Sequence, residues 1–203
     1  MRRGELKTRM GWVMISEYNT PRVLQRQRIR EAEGLLELAT GPAARLGLRP
    51  ALRRRLARRA LALVVRHRVG GDDAWRRDLV IGQALRLCRN YTAAIGPLWS
   101  AVSRNPDSRE AWIALGWCLK RMGEIDRAAA VLAQAVEMIP DDALLHFNFA
   151  CYLGRLGQAE MAVSELLWAF DLNPDLRARI DGEPDFDPIR LHASFRALTQ
   201  LPV

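Results

Sequence analysis

Apolar residues in the second half of the chain recur at the spacing of one face of an α-helix. The stretch 112–119 has apolar or small residues at positions 112, 115, 116 and 119, and the stretch 128–135 has them at 128, 132 and 135. This spacing predicts two consecutive amphipathic helices. Strand-like alternation is absent from residues 22–200. The sequence therefore predicts an all-α protein.

The helix pair recurs at a fixed interval of about 34 residues, which is typical of a repeat architecture. Three Pro-Asp pairs begin at Pro106, Pro140 and Pro174. The same offset relates Ala94, Ala128 and Ala162; Leu98, Leu132 and Leu166; Ala101, Ala135 and Ala169; Leu85, Leu119 and Leu153; and the small residues Gly82, Gly116 and Ala150. We predict three units of equal length, at residues 75–108, 109–142 and 143–176.

Glycine and proline mark the ends of the predicted helices. Gly123 and Gly157 lie between the two helices of their units, where a residue without a Cβ turns most easily. The first unit has Arg89 at this position instead. Gly116 and Ala128 are small enough to let the two helices of a unit approach closely.

The repeated residues match a known pattern. Trp112, Leu115, Gly116, Gly123, Ala128, Ala135 and Pro140 stand where the tetratricopeptide pattern has W, L, G, G, A, A and P. Residues 75–176 thus resemble the tetratricopeptide-repeat family, which implies a right-handed α-solenoid of helix-turn-helix repeats. The third unit departs from the pattern, with His146 and Phe149 in place of Trp and Leu.

The segment before the repeats is basic and also has helical spacing. Residues 22–39 and 51–68 each read as a helix. Together they form a basic helical segment over residues 21–70 that we interpret as a divergent repeat. Residues 1–20 are predicted to be a mobile arm.

The segment after the repeats, residues 177–203, is predicted to cap the last repeat, because solenoid ends need cover. Asp187 and Pro188 are an N-cap and first-turn pair that predicts a helix. Its buried side would carry Leu191, Phe195 and Leu198. The stretch 185–190, with Phe195 and Leu198, also resembles the closing segment of many bacterial repeat proteins of this type.

The net charge of +8 over 203 residues is unevenly distributed. Residues 1–70 contain 17 Lys and Arg against 5 Asp and Glu, whereas residues 71–203 contain 14 against 18. Nearly all the cations are arginine, which fits either a GC-rich coding genome or a surface that binds nucleic acid or another anionic surface. The basic segment lacks the interleaved aromatic residues that stack on bases.

Residues suited to catalysis or metal binding do not converge in the sequence. Glycine-rich phosphate loops and the common hydrolase motifs are missing, the three histidines lie in different units, and His146 occupies the repeat's Trp position. Asp181, Glu183, Asp185 and Asp187 alternate like calcium ligands, yet the glycine and the final glutamate of that motif are missing. We therefore expect no enzyme activity, no cofactor and no metal.

The cysteines point to a reducing compartment. Cys88, Cys118 and Cys151 are odd in number and form no CxxC pair, so neither a disulfide framework nor a zinc site is indicated. No stretch approaches the ~20 apolar residues of a membrane span. We expect a cytoplasmic protein.

The resemblance also implies a binding groove, because the first helix of each unit lines the concave face in this family. The implied partner-binding residues are Arg76, Leu79, Gln83, Arg86, Ile113, Trp117, Lys120, Arg121, Phe147, Asn148 and Arg155. Trp117 and Phe147 would form an apolar centre with cationic margins, which is typical of a binding hot spot. Alternatively, the two rings pack between adjacent repeats or are covered by the chain's own C-terminal tail.

The function that these residues predict is a non-enzymatic adaptor. Its groove would bind a partner peptide or helix with acidic and apolar residues. Some members of the family clamp a partner's terminal carboxylate, but Leu79, Gln83 and Ala114 replace the clamp residues here. The alternative function is nucleic-acid or anionic-surface binding through the Arg-rich N-terminal helix.

Overall fold

The helices were located in a computed structural model, which describes residues 5–41, 47–65 and 73–200, with side chains from Arg22 onward. No strand occurs among the described residues, and the predicted all-α class is confirmed. The α-helices are α1 (Glu5–Thr40), α2 (Pro50–Val65), α3 (Ala74–Leu87), α4 (Tyr91–Arg104), α5 (Arg109–Arg121), α6 (Ile125–Met138), α7 (Ala143–Arg155), α8 (Ala159–Leu172) and α9 (Ala193–Gln200). Two 3₁₀ helices, η1 (Pro174–Arg179) and η2 (Pro184–Ile189), precede α9.

The chain divides into two compact units, residues 1–88 (unit 1) and residues 89–203 (unit 2). The boundary falls between α3 and α4, which we predicted to be the two helices of the first repeat. The physical reason is that α3 contributes to the core of unit 1, where Val80, Ile81 and Ala84 are buried.

Unit 1 is held together by apolar residues on one face of each of the three helices that the structure describes there. Its buried core consists of Ile29, Ala32 and Leu36 from α1, Ala57, Ala60 and Val64 from α2, and Val80, Ile81 and Ala84 from α3. Helix α1 begins at Glu5, so residues 5–20 are helical where we predicted a mobile arm. Residues 66–68 of the predicted second helix lie outside the described residues.

Unit 2 repeats the same packing at the interval that separates Pro106 from Pro140. Its second helices begin at Tyr91, Ile125 and Ala159 and end at Arg104, Met138 and Leu172. Nine of the residues that define the period are completely buried: Ala94, Ala128, Ala162, Leu98, Leu132, Leu166, Ala101, Ala135 and Ala169 are each 0% exposed. Equivalent positions of successive helix pairs in unit 2 therefore share the same place in the core.

The turns between paired helices have the left-handed backbone that the glycines predict. Gly123 has a φ of +83°, and Gly157 has a φ of +74°. Arg89 takes the same conformation, with a φ of +63°, although it has a side chain. Within the second repeat, a Cβ on Gly116 would lie 2.5 Å from Leu132 Cδ2, so the close approach of α5 and α6 requires glycine there.

The C-terminal segment (residues 173–200) covers α7 and α8, but the predicted start of its helix is wrong. Asp187 and Pro188 lie within η2, and α9 begins only at Ala193. Leu191 consequently lies outside the helix and is 89% exposed, whereas Phe195 and Leu198 are buried as predicted. The 3₁₀ helix η2 occupies this stretch instead, with Pro184 at its start and Pro188 inside it.

Candidate functional site

The candidate residues of unit 2 lie on α5 and α7, the first helices of its two complete repeats. The outward residues of these two helices form one side of unit 2, which we call the first-helix face. Ser108 Oγ accepts a hydrogen bond from the backbone N–H of Ala111, and Asp142 Oδ1 accepts from Leu144 and Leu145. These N-caps determine where the two helices begin.

Trp117 is partly exposed on α5 and belongs to an aromatic and cationic cluster. Its ring contacts that of Tyr91 edge to face, with centroids 5.4 Å apart. The Arg121 guanidinium lies 5.6 Å from the centroid of Trp117 and 5.9 Å from that of Tyr91. We call these three residues the Trp117 cluster. Tyr91 was missed from the sequence, because its equivalents Ile125 and Ala159 give the position no pattern.

Phe147, the second predicted aromatic centre, is covered by the chain itself. Its side chain is 2% exposed and contacts Phe186 of η2 edge to face, with centroids 6.0 Å apart. The guanidinium of Arg179 lies 5.2 Å from the centroid of Phe147. Of the arrangements that the sequence left open, cover by the C-terminal tail is the one that the structure contains.

Asp185 connects the C-terminal segment to two predicted cationic residues of the face. Its carboxylate accepts a hydrogen bond from Lys120 Nζ, and its other oxygen lies 3.4 Å from Arg155 Nη1. The Asp185 side chain is 3% exposed. A buried carboxylate needs a cationic partner, since a buried charge without one is strongly destabilising.

Gly154 allows the backbone of η2 to lie directly against α7. A Cβ at this position would be 2.9 Å from Phe186 Cδ1 and 3.0 Å from the carbonyl oxygen of Asp185. Lys120 stands at the equivalent position one repeat earlier. A glycine in place of a long groove side chain was the available signal that this part of the face is occupied.

The remaining predicted residues make contacts of their own or are partly buried. Asn148 Nδ2 donates to the carbonyl oxygen of Leu144 in its own helix, and Ile113 is half-buried. In unit 1, Arg76 Nε lies 3.2 Å from Glu33 Oε1 of α1. The other three predicted residues of α3, namely Leu79, Gln83 and Arg86, are half-buried.

Three titratable groups lie close together where η2 packs on α7. Cys151 Sγ, Glu183 and Asp185 each offer a ligand atom within 4.8 Å of the others, a grouping that the sequence did not predict because Cys151 is distant in the chain. Asp185 is bound by Lys120 and Arg155, and Glu183 Oε1 accepts from the Asp185 N–H. Burial, with the charges of Glu183 and Asp185 adding, raises the pKa of the Cys151 thiol far above its usual range. A neutral thiol is neither a nucleophile nor a good metal ligand at pH 7.

His146 is 7% exposed, and both of its ring nitrogens have partners. Nδ1 lies 2.6 Å from Glu165 Oε2, and Nε2 lies 2.8 Å from the carbonyl oxygen of Pro140. The ring also stacks on Trp168, with centroids 6.2 Å apart. These contacts match the core role that its position in the repeat predicts.

Helix α2 exposes the Arg-rich surface that carries the alternative function. Arg54, Arg55, Arg58 and Arg59 lie on this helix with Arg53, whose Nε donates to the carbonyl oxygen of Ala39. Four of these arginines are exposed: Arg54, Arg55, Arg58 and Arg59. The helix contains no acidic residue. Among the helices that the structure describes, none is both long and apolar enough to cross a membrane.

Comparison with a family model shows what part of the repeat region resembles. Residues 83–146 match the model described as tetratricopeptide repeat. This part of the chain is therefore similar to tetratricopeptide repeats. The match extends from α3 to α7, and the repeat register buried in unit 2 is the one that the family pattern requires. Proteins built from such repeats are generally non-enzymatic scaffolds for protein–protein interaction, and the match supports a scaffold of this kind here.

Solved structures with the same fold have little sequence in common with the chain. A structure of MamA AMB-1 is 19% identical in sequence and has a TM-score of 0.54. The match covers 76% of this chain and 80% of the MamA chain. A MamA point mutant is 20% identical with a TM-score of 0.50, covering 74% of this chain and 96% of its own. A double mutant of MamA RS-1 is 16% identical with a TM-score of 0.50, covering 79% and 92%. No curated protein matches the sequence.

Proposed function

We propose that this chain is a non-enzymatic adaptor that binds a partner peptide or helix on the first-helix face of unit 2. The observation that supports this proposal is the Trp117 cluster, which offers two aromatic rings and a cation at a partly exposed position. Aromatic residues and arginine are the side chains that contribute most binding energy at protein interfaces. We further propose that the predicted residues of α3 in unit 1 make separate contacts with the partner. These residues are Arg76, Leu79, Gln83 and Arg86.

The partner that fits this face has acidic and apolar residues. The C-terminal segment illustrates the preference, because it places Asp185 against Lys120 and Arg155 and Phe186 against Phe147. The same combination in a partner would suit the Trp117 cluster, where Arg121 is exposed beside the rings. The three free cysteines fit a reducing environment, and we place the adaptor in the cytoplasm.

The test is affinity capture with the full chain, followed by identification and titration of what is retained. Trp117→Ala should reduce partner affinity by about 2 kcal/mol or more, since truncating a central aromatic anchor commonly costs that much. Arg121→Glu should mainly slow association and increase its dependence on salt, because charges at an interface margin steer encounter.

The matched control is Trp168→Ala, because Trp168 is 59% exposed on α8, away from the first-helix face. This variant should capture the partner as well as the parent does. The thermal melts of both tryptophan variants must be compared with that of the parent. A folded Trp117→Ala variant that binds the same partner undiminished would show that the Trp117 cluster is not the site.

A second candidate function is binding of nucleic acid through α2, favoured by its exposed arginines and its lack of acidic residues. Binding to duplex DNA should then weaken steeply with salt, with log K falling by about 0.9 for each phosphate neutralised. Arg54→Gln with Arg58→Gln should reduce both the affinity and this slope in a fluorescence anisotropy titration. Unmeasurable binding at low salt would eliminate this candidate.

A further inference from the structure

Unit 1 contains a cavity between α1 and α3 with a volume of about 170 Å³. Its lining residues are Arg26, Ile29, Arg30, Glu33, Asp73 and Arg76. Since a water molecule occupies ~30 Å³ in the liquid, the cavity has room for several waters or for one small ion with part of its hydration shell.

Two of the lining arginines are held by carboxylates through one edge of the guanidinium. Arg26 Nε lies 2.6 Å from Asp73 Oδ2, and Arg76 Nε lies 3.2 Å from Glu33 Oε1. Both pairs join residues distant in the sequence, so they fix the positions of the guanidinium groups relative to the cavity. The Arg76–Glu33 pair leaves the terminal Nη groups of Arg76 outside that ion pair.

Arg30 is the third arginine of the cavity, and it forms no ion pair with any residue that the structure describes. It lies one helical turn after Arg26 and is exposed. The lining thus has three guanidinium groups against two carboxylates, which leaves one positive charge uncompensated. The buried side chain of Ile29 supplies an apolar wall beside these charges.

We propose that this cavity binds a small oxyanion of the phosphate class. Guanidinium groups bind phosphate through pairs of parallel N–H donors, and the cavity offers such donors from Arg30 of α1 and from the terminal Nη groups of Arg76 of α3. The carboxylates of Glu33 and Asp73 repel an anion. Their ion pairs with Arg76 and Arg26 offset much of this repulsion. All six residues belong to unit 1, so the site is independent of the Trp117 cluster.

The test is a thermal shift titration of the full chain with inorganic phosphate, at an ionic strength kept constant with sodium chloride. Binding to the folded state raises the melting temperature as phosphate increases. Arg30→Gln should weaken the response by about tenfold or more, because it removes a charged donor pair without breaking an ion pair. Arg196→Gln removes the same charge from the exposed surface of α9 in unit 2 and should leave the response unchanged.

Further titrations separate the possible sources of the anion. Phosphoserine that shifts the melt at lower concentration than inorganic phosphate would indicate a phosphorylated side chain, whereas the reverse would indicate free phosphate, and both support the proposal. Malonate acting as strongly as phosphate through Arg30 would overturn the phosphate assignment. No shift in the parent, or equal shifts in Arg30→Gln and Arg196→Gln, would overturn the site.

Discussion

His146 and Trp112 show how two different side chains serve one position of the repeat. Trp112 Nε1 donates to the carbonyl oxygen of Pro106 at 2.7 Å, and His146 Nε2 lies 2.8 Å from the carbonyl oxygen of Pro140. Both the ring and the carbonyl therefore recur one repeat later. A buried ring nitrogen needs a partner, so the substitution is tolerated because that partner is preserved.

Arg89 is the position where a single side chain conflicts with its backbone. Its φ of +63° is one that a residue with a Cβ occupies at a cost of about 1–2 kcal/mol. Arg89→Gly should raise the free energy of unfolding by about 0.5–1 kcal/mol, because glycine's larger unfolded-state entropy cancels part of the gain. The measurement is a denaturant melt, with Gly123→Ala as the mirror experiment. Gly123→Ala should destabilise by a similar amount, and a stabilising Gly123→Ala would show that these turns are not left-handed in solution.

At the scale of the elements, the helices of the repeats were predictable because their signals are local. Ala128, Leu132 and Ala135 recur at helical spacing and again one repeat later, and a left-handed turn follows from Gly123 alone. The arrangement of the C-terminal segment depends instead on contacts between residues far apart in the chain. Asp185 pairs with Lys120 across 65 positions, which no periodicity announces.

The proposed binding face was predictable in part. The repeat register indicated an outward-pointing Trp117, and this residue is partly exposed on α5. It could not decide whether Phe147 would be open or covered, because that depends on where Phe186 packs. Tyr91 lacked any signal, since its neighbour Trp117 lies in the next helix pair and the repeat equivalents of Tyr91 are aliphatic.

The contact between η2 and α7 can be disrupted at Gly154. Gly154→Ala places a methyl group 2.9 Å from Phe186 Cδ1 and 3.0 Å from a backbone oxygen, so the segment must move. We expect a destabilisation of about 1–3 kcal/mol, the usual cost of overpacking. Gly34→Ala is the control, because a Cβ on Gly34 in α1 meets no atom within 4 Å apart from its chain neighbours and its own helix backbone. It should stabilise by about 0.5–1 kcal/mol, as alanine does in a helix interior.

Cys151 reports on the same contact through its reactivity. The thiol is 3% exposed beneath η2, and burial raises its pKa, so thiol reagents at pH 8 should label it only slowly. Gly154→Ala should accelerate labelling of Cys151, measured by peptide mass spectrometry, while half-buried Cys88 in unit 1 should label at the parent rate. Equal labelling of Cys151 in the variant and the parent would mean that the methyl group is accommodated without moving the segment.

At the scale of the whole molecule, charge and repeat structure are separated along the chain. The excess of arginine lies in residues 1–70, and the cavity with its three arginines belongs to unit 1. The completely buried repeat positions and the C-terminal segment belong to unit 2. The proposed oxyanion site and the Trp117 cluster are thus built on different units, and each can be removed without altering the residues of the other.

Unit 2 contains what a repeat array needs to fold by itself. Its core includes Leu98, Leu132 and Leu166, and the C-terminal segment closes one end with Phe186 and Phe195 completely or almost completely buried. We expect a fragment of residues 89–203 to give a helical circular dichroism spectrum and a cooperative thermal transition, since repeat arrays depend on contacts between neighbouring repeats. A fragment of residues 89–172 should melt lower and associate more readily, because it exposes the apolar residues that η2 and α9 cover. If residues 89–203 show no cooperative transition while the full chain does, unit 2 requires unit 1 for its stability, and the two units fold as one.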